Sequence, residues 1–453
     1  MSLSHDDLLN DVQIILAPFD LTKDDFNRIK DSILVSMNKG LRTSEMESSS
    51  IKMYPSYVVK IPNGKEIGKF LALDLGGTNF RILIIEMTSV KEEMSVDERV
   101  FTIPQDKMLG DADSLFSYIA QTLEKFLKRY SLGKQEIQLG FTFSFPCLSK
   151  GLNEAFLVKW TKGFSASGVV GENVAKLLQD AIDKTGLNVK CRAVVNDTVG
   201  TLTACALEDP LCSIGLIIGT GTNAAYIEDI KNIDSVKDSY KDQNSMIVNT
   251  EWGAFGEKGE LEDVLTDYDR ALDKASLHPG QYIYEKLCSG MNLGEICRLI
   301  LLDLIRRGIL FDGEMPIELT KKNGFQTKYI SETERDPPHL FYSTSYMLTE
   351  YLKVPAAQLI DSKIVRMVCE KVSTRAAFLV GTGIAALMHK LNRPRVIIGV
   401  DGSLYKFHPK FRERMMEIIH LMKPEHSEFH LRLSEDGSGK GAAAIVAALS
   451  RSD

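Results

Sequence analysis

Cysteine is sparse and scattered in this sequence. Seven thiols (Cys147, Cys191, Cys205, Cys212, Cys288, Cys297 and Cys369) form no CxxC pair and are odd in number. That argues against a disulfide framework or a zinc site and points to a reduced, cytosolic compartment. Histidine is equally thin: of eight, His278, His339, His389, His408 and His420 stand apart from one another, which gives no basis for a histidine metal centre or a triad. No block of Lys and Arg interrupts a chain whose formal net charge is −7, so nothing suggests a nucleic-acid or anionic-membrane surface. An anion bound by such a chain must be held locally, by backbone N–H groups and a few placed cations. No run approaches the roughly 20 apolar residues that span a bilayer. The N-terminus, Met1 to Leu8, carries two early acids and no long apolar run, which fits neither a signal peptide nor an Arg-rich transit peptide.

What is present is ordinary globular material: 453 residues, 44% hydrophobic and 25% charged. That length supplies two or three domains' worth of core and room for a cleft between lobes. Residues 5 to 40 carry apolar positions at helix spacing (Leu8, Leu9, Val12, Ile15, Leu16; then Phe26, Ile29, Ile33, Leu34, Met37), with Gly40 as a stop. Further helices are expected at about 112–130, 170–185, 280–308, 365–391 and 442–449, and strands at 137–143, 191–195, 395–400 and 429–433. Strands in runs alternating with helices indicate an α/β class with two sheets.

The most informative pattern occurs twice. Phe70-Leu-Ala-Leu-Asp-Leu75, a Gly76-Gly-Thr-Asn79 turn and Phe80-Arg-Ile-Leu-Ile-Ile85 form a hairpin pattern. Ile214-Gly-Leu-Ile-Ile218, Gly219-Thr-Gly-Thr-Asn223 and Ala224-Ala-Tyr-Ile227 repeat it. Either two unrelated hairpins share common turn residues, or the chain contains an internal duplication. As chemistry, each turn is a candidate phosphate nest: glycine lets the backbone approach closely, and successive N–H groups converge on an anion. Thr78, Thr220 and Thr222 add hydroxyls, and Arg81 adds a charge. Asp74 beside the first turn makes sense as a holder of hydrated Mg²⁺.

Two further patterns mislead. Gly439-Lys440-Gly441 resembles the end of a P-loop, but Ser434 stands where the first glycine belongs and Gly441 replaces the Ser/Thr. The loose GxGxxA at Gly437, Gly439 and Ala442 lacks a βαβ unit and the acid that should follow. The segment is expected to be a Gly-rich loop feeding a helix.

Polar residues in apolar surroundings mark the remaining candidates. Ser144 lies among phenylalanines, Asn196 and Asp197 end an apolar strand, and Glu251 precedes Trp252. A carboxylate in such a setting is costly unless hydrogen-bonded or functional, and ligands bind at the C-terminal ends of strands in open α/β sheets. On the residues alone, Asp197 is either a general base or a structural, hydrogen-bonded carboxylate.

In combination these segments closely resemble the hexokinase family. The resemblance is carried by Leu73-Asp-Leu-Gly-Gly-Thr-Asn-Phe-Arg81, Leu139-Gly-Phe-Thr-Phe-Ser-Phe-Pro-Cys147, Trp160-Thr-Lys-Gly-Phe164, Val195-Asn-Asp-Thr-Val-Gly-Thr201, Ile218-Gly-Thr-Gly-Thr-Asn223, Asn249-Thr-Glu-Trp-Gly-Ala-Phe255, Ser289-Gly-Met291 and Val400-Asp-Gly-Ser-Leu-Tyr-Lys406. It covers essentially the whole chain, at about the length of one catalytic unit. It implies the actin-like ATPase fold: two ribonuclease-H-like lobes with a cleft between them. The expected division is residues 1–62 as an N-terminal helical segment on the large lobe, 63–196 as the small lobe, 197–437 as the large lobe, and 438–453 as a C-terminal helix returning to the small lobe.

The implied activity is ATP-dependent phosphorylation of glucose and related hexoses at the 6-hydroxyl. The resemblance places Ser144, Phe145, Thr161, Lys162, Asn196, Asp197, Asn223, Glu251 and Glu285 around the sugar, with Asp197 as the base. It assigns ATP to Asp74, Gly76, Gly77, Thr78, Asn79, Arg81, Thr220, Gly290, Met291, Thr327, Lys328, Ser331, Gly402 and Ser403, with Mg²⁺ on Asp74 through water. Glucose 6-phosphate is an expected inhibitor, with Asp74, Gly77, Thr78, Asp401, Ser403 and Ser438 as its contacts. The N-terminus departs from the apolar leader by which some relatives dock on mitochondria. Nothing fixes an oligomeric state, and a monomer is compatible with the sequence. The alternatives are a non-catalytic sugar sensor, expected to lose the base or a phosphate turn, and an actin-like or chaperone-type ATPase. The ATPase would keep the hairpins without the Ser144, Lys162, Asn196, Glu251 and Glu285 set.

Overall fold

A computed structural model describes residues 5–451, apart from Thr78, 89–93, 131–135, 161–162 and Pro355. In chain order its strands are β1 (Tyr54–Pro55), β2 (Gly68–Leu75), β3 (Asn79–Met87), β4 (Ser95–Thr102), β5 (Ile137–Phe143), β6 (Cys147–Gly151), β7 (Glu154–Leu157), β8 (Val189–Val195), β9 (Cys212–Ile218), β10 (Thr222–Asp229), β11 (Ser245–Asn249), β12 (Arg395–Asp401) and β13 (Glu428–Leu433). One sheet has the order β4-β3-β2-β5-β8 and the other β1-β11-β10-β9-β12-β13, while β6 and β7 form a small ribbon.

The two sheets share one plan. In each, the first strand pairs antiparallel with the second and the second with the third. The fourth and fifth strands then add in parallel on the other side of the first. The common order is third-second-first-fourth-fifth, with β1 as an extra edge strand. The repeated Gly-Thr-Asn turns occupy equivalent places in the two sheets, between first and second strands. Shared topology at shared turns favours duplication over two unrelated hairpins. This is the expected two-lobed, actin-like ATPase architecture.

Each lobe has its own core. Leu71, Leu73 and Leu75 turn one face of β2 toward the helices Ala112–Leu127 and Val174–Thr185. The six-stranded sheet packs with the helices Gly290–Arg306 and Leu359–Leu391 and with both N-terminal helices, through Val12, Leu16, Ile29 and Ile33. The expected N-terminal helical stretch is thus two helices, His5–Leu16 and Lys23–Gly40. Thr22 and Asp25 start the second with a reciprocal capping box. Helix Leu359–Leu391, 33 residues long, has its apolar stretch mostly buried inside the fold. It is the spine of the large-lobe core, apolar on nearly all sides because nearly all sides are covered.

A third core lies between the sheets and joins the lobes. Phe70 and Ala72, on the opposite face of β2, meet helix Asp197–Glu208 (Val199, Leu202, Ala206) and the C-terminal helix (Ala442 to Ala447). The expected Gly-rich loop is not a loop. That helix starts at Gly437 and runs to Ser450. Its glycines are packing surface: a Cβ on Gly441 would lie 1.8 Å from the Gly200 carbonyl oxygen, and one on Gly200 would lie 2.6 Å from that of Ser438. The two helices cross there with backbone against backbone. A second correction concerns 280–308, which is two helices, Ile283–Cys288 and Gly290–Arg306, broken where Ser289 is extended (φ −91, ψ 151).

Overpacking usually costs about 1–3 kcal/mol, and at this crossing the opposing atoms are backbone. Gly441→Ala is expected to lose about 2 kcal/mol or more of unfolding free energy in a urea titration, whereas Ala443→Gly should lose less.

Candidate functional site

Both linking helices begin on the floor of the cleft between the lobes. Asn196, just after β8, caps the first of them: its Oδ1 accepts from the Thr198 N–H at 3.0 Å and from the Thr198 hydroxyl at 2.7 Å. Asp197 is the first helical residue.

Asp74 ends the inter-lobe face of β2 and is buried. Its register partner on β3 is Arg81. Arg81 donates to Asp74 Oδ2 from Nε at 3.2 Å and from NH2 at 2.5 Å, and its NH1 reaches Asp436 Oδ1 at 2.5 Å. Ser438 Oγ donates to the same Asp74 oxygen at 2.7 Å. Burial alone would lower the Arg81 pKa, but Asp74 and Asp436 outweigh it and hold the guanidinium above its ordinary value. Arg81, expected beside a phosphate, is therefore engaged by two carboxylates, and Ser438 is a buried helical residue bonded to Asp74. The other Asp74 oxygen faces the Gly76 turn. Asp401 holds two backbones, accepting from the Gly402 N–H at 2.7 Å and the Gly437 N–H at 3.2 Å. Burial raises its pKa.

The second turn is built tightly. Gly290 N–H donates to the Gly219 carbonyl at 2.8 Å and Met291 N–H to that of Thr220 at 3.1 Å, so the helix start at Ser289 is fixed by the turn. Glu285 Oε2 accepts from the Thr222 N–H at 3.0 Å. A Cβ on Gly221 would lie 2.5 Å from that oxygen, so a side chain there would displace the carboxylate.

Beyond this turn the polar groups converge. Asn223 Nδ2 donates to Asn249 Oδ1 at 2.8 Å and to Glu251 Oε1 at 3.1 Å, and Asn249 Nδ2 donates to Glu251 Oε1 at 2.7 Å. Glu251 sits at φ 54, a left-handed conformation rare for a residue with a side chain and common at ligand sites. Burial, reinforced by Glu251, pushes the Tyr54 phenol up to about 12 and the Cys147 thiol up to about 12. Ser144, just after β5, is buried beside the first turn, its N–H on the Leu75 carbonyl at 3.1 Å. Phe145 packs against Phe143, Trp160 and Phe164 with ring centroids 4.8, 4.9 and 5.1 Å away. A small cavity of about 40 Å³ touches Tyr54, Phe145, Cys147, Asn196, Asn249 and Glu251. Sequence reasoning missed Tyr54 and Asn249. The alternation Asn249-Thr250-Glu251 at the end of an apolar strand was a signal for Asn249.

A larger cavity, about 390 Å³, opens on the other side of the second turn. It brings together the expected Thr220, Gly290, Met291, Thr327, Lys328, Ser331 and Ser403, and adds Gly219, Glu332, Arg335, Leu404 and Phe407. Thr327 and Ser331 lie on helix Thr327–Arg335, and that wall is pinned from behind. Buried Glu334 faces His408 Nε2 at 3.2 Å and Arg414 NH2 at 2.7 Å and accepts from Ser373. Burial pushes the Glu334 carboxyl up, but His408 and Arg414 outweigh it and leave the pKa below its ordinary value. Thr78, Thr161 and Lys162 lie outside the described residues.

Sequence signatures described as hexokinase match residues 11–207 and 213–448. The chain is 54% identical over 451 residues to a hexokinase of Schistosoma mansoni, covering 100% of both chains. It is 43% identical to hexokinase-2 of Equus caballus across 96% of this chain but 48% of that one, so it spans about half the length of that relative. The solved structure of the Schistosoma mansoni hexokinase complexed with glucose superposes with a TM-score of 0.91 at 55% identity, covering 98% of this chain and 100% of that one.

Removing one partner of a buried ion pair costs about 3–5 kcal/mol, since the other charge is left buried. Glu334→Ala is expected to lose that much in urea unfolding at neutral pH. Because the folded pKa is depressed, this contribution is present above the ordinary value of 4.5 and is lost as pH falls through the folded value. The gap between wild type and variant should therefore narrow in acid.

Proposed function

The chain belongs to the hexokinase family, and we propose on that premise how its own residues divide the ATP-dependent phosphorylation of glucose. The observation that carries the assignment is the hydrogen-bonded cluster of Asn223, Asn249 and Glu251, which shares a small cavity with Asn196, the residue before Asp197, and has Glu285 bonded to the turn that precedes Asn223. A hexose presents a ring of hydroxyls that both donate and accept. Carboxylates and amides held by one another grip such pairs in fixed geometry. A wall of this kind rejects an analogue lacking one hydroxyl by up to about 10⁴-fold, because its buried polar groups are left unpaired.

Asp197 is the proposed general base. It takes the proton of the 6-hydroxyl as that oxygen attacks the terminal phosphorus of ATP, a contribution of about 10²–10⁴ in rate. The larger share comes from alignment and electrostatics. The nucleoside end of ATP fits the larger cavity, with the polyphosphate running along the two glycine turns. The resemblance adds Thr161 and Lys162, outside the described residues, to the proposed sugar ligands. Mg²⁺ fits at Asp74: this metal keeps several waters and needs few protein carboxylates, and the oxygen facing the first turn suits a water-mediated contact. When bound, it neutralises phosphate charge.

Glucose 6-phosphate inhibition belongs to the same reading, its phosphate competing at the Asp74 to Thr78 turn. Other hexoses, a monomeric state and a cytosolic location are proposed with it, the last resting on seven free cysteines.

With purified protein and Mg-ATP, ADP release is expected to depend on glucose. Asp197→Ala should lower kcat by about 10²-fold or more, with a far smaller change in glucose affinity. Sugar-independent turnover, or a variant as fast as wild type, would refute the assignment. With ATP near its KM, added glucose 6-phosphate should slow the reaction; an unchanged rate removes the inhibitor from the scheme.

A further inference from the structure

One contact crosses from lobe to lobe beside the sugar wall without belonging to it. Lys159 lies on the small-lobe side, after β7 and directly before Trp160. Tyr282 lies on the large-lobe side and is the residue that starts helix Ile283–Cys288, which carries Glu285. Lys159 Nζ stands 4.6 Å from the centroid of the Tyr282 ring.

Both ends of this contact are held. Trp160 stacks on Phe164 at 5.2 Å, meets Phe145 edge-on at 4.9 Å and donates its indole N–H to the Ala166 carbonyl at 2.8 Å. Tyr282 is in the left-handed region at φ 55, and its N–H is fixed on Glu257 Oε1 at 2.8 Å. Such a backbone persists when its surroundings over-determine it. Here Lys286, one turn on, bonds Asp273 at 2.5 Å and the His278 carbonyl at 2.7 Å. The ring also feels the sugar wall. Burial raises the Tyr282 phenol pKa, Lys159 draws it back, and Glu251 and Glu257 push it up again.

We propose that Lys159 and Tyr282 are a positioning pair for the sugar site. The ammonium held on the ring ties the Lys159–Trp160 segment to the first residue of the Glu285 helix and thereby sets sugar affinity. The pair touches neither reacting group. It acts by favouring the arrangement in which both walls face the sugar at once, and a ligand's apparent affinity scales with the population of that arrangement. This inference rests on the reading of Glu251 and Glu285 as sugar ligands. A cation on a partly exposed aromatic face changes such a population by about two- to five-fold.

The test is a double-mutant cycle in the full chain: Lys159→Met, Tyr282→Leu and both together, with Lys159→Arg as the conservative variant. Glucose affinity is read without ATP from the fluorescence of Trp160 and Trp252, the two tryptophans of the chain, and KM and kcat are read with ATP. Each single variant is expected to weaken glucose binding and raise its KM about two- to five-fold, with kcat nearly unchanged. The double variant should be no worse than either single one, and Lys159→Arg should keep wild-type affinity. Unchanged affinity in both single variants, additive losses in the double variant, or a loss confined to kcat would each overturn the pair's role. If wild type itself neither binds glucose nor turns over with it, the fault lies in the sugar reading, and the pair's role falls with it.

Discussion

Gly200 and Gly441 allow two helices to cross with no side chain between them, and the geometry of the cleft follows from that crossing. Helix Asp197–Glu208 packs on β9 and β12 of one sheet, and the C-terminal helix on β2 and β5 of the other. Their spacing therefore fixes the spacing of the sheets. It also fixes where both helices begin: one start presents Asp197, and the other presents Ser438 to Asp74. A wider crossing would separate the proposed base from the turn that faces the phosphates. The close approach is a condition of the chemistry as well as of stability.

The second constraint is electrostatic. A chain with a surplus of acid must receive a polyanion, yet its most placed cation near the first turn, Arg81, is bound to Asp74 and Asp436. The attraction must then come from backbone N–H groups, helix starts and the cations that line the larger cavity, Lys328 and Arg335. The acids around the cavities serve geometry. Asp401 gathers two backbone segments, Glu334 clamps the wall of the larger cavity, and Glu285 and Glu251 are oriented by neighbours before any ligand arrives. Preorganised polar groups of this kind lose little freedom on binding.

Legibility in the sequence followed the range of the physics involved. The two glycine hairpins, the placement of Asn196 and Asp197 at a strand end and the polar Glu251 beside Trp252 are local patterns, and the structure has them where the sequence indicated. Misreadings arose where tertiary packing overrides local preference. Glycines from 437 to 441 suggest a loop, whereas in the fold they are helical and Gly441 meets the backbone of Gly200 on the facing helix. Ser289 interrupts an apolar pattern because the turn at Gly219 and Thr220 captures the next two N–H groups. Tyr54 gave no signal, since its place depends on β1 pairing with a strand nearly two hundred residues away.

The C-terminal helix has a consequence for how the protein is made. It covers the inter-lobe face of the small sheet, and Thr142 in β5 bonds the carbonyl of Ser438, 296 residues further along the chain. At synthesis rates of about 5–20 residues per second, that face waits roughly 15–60 s for its partner. During that interval the small lobe has one finished core and one bare apolar surface on the ribosome. A nascent chain of this design needs shelter until Ala442 to Ala447 emerge, and a chain without that helix would leave the surface open.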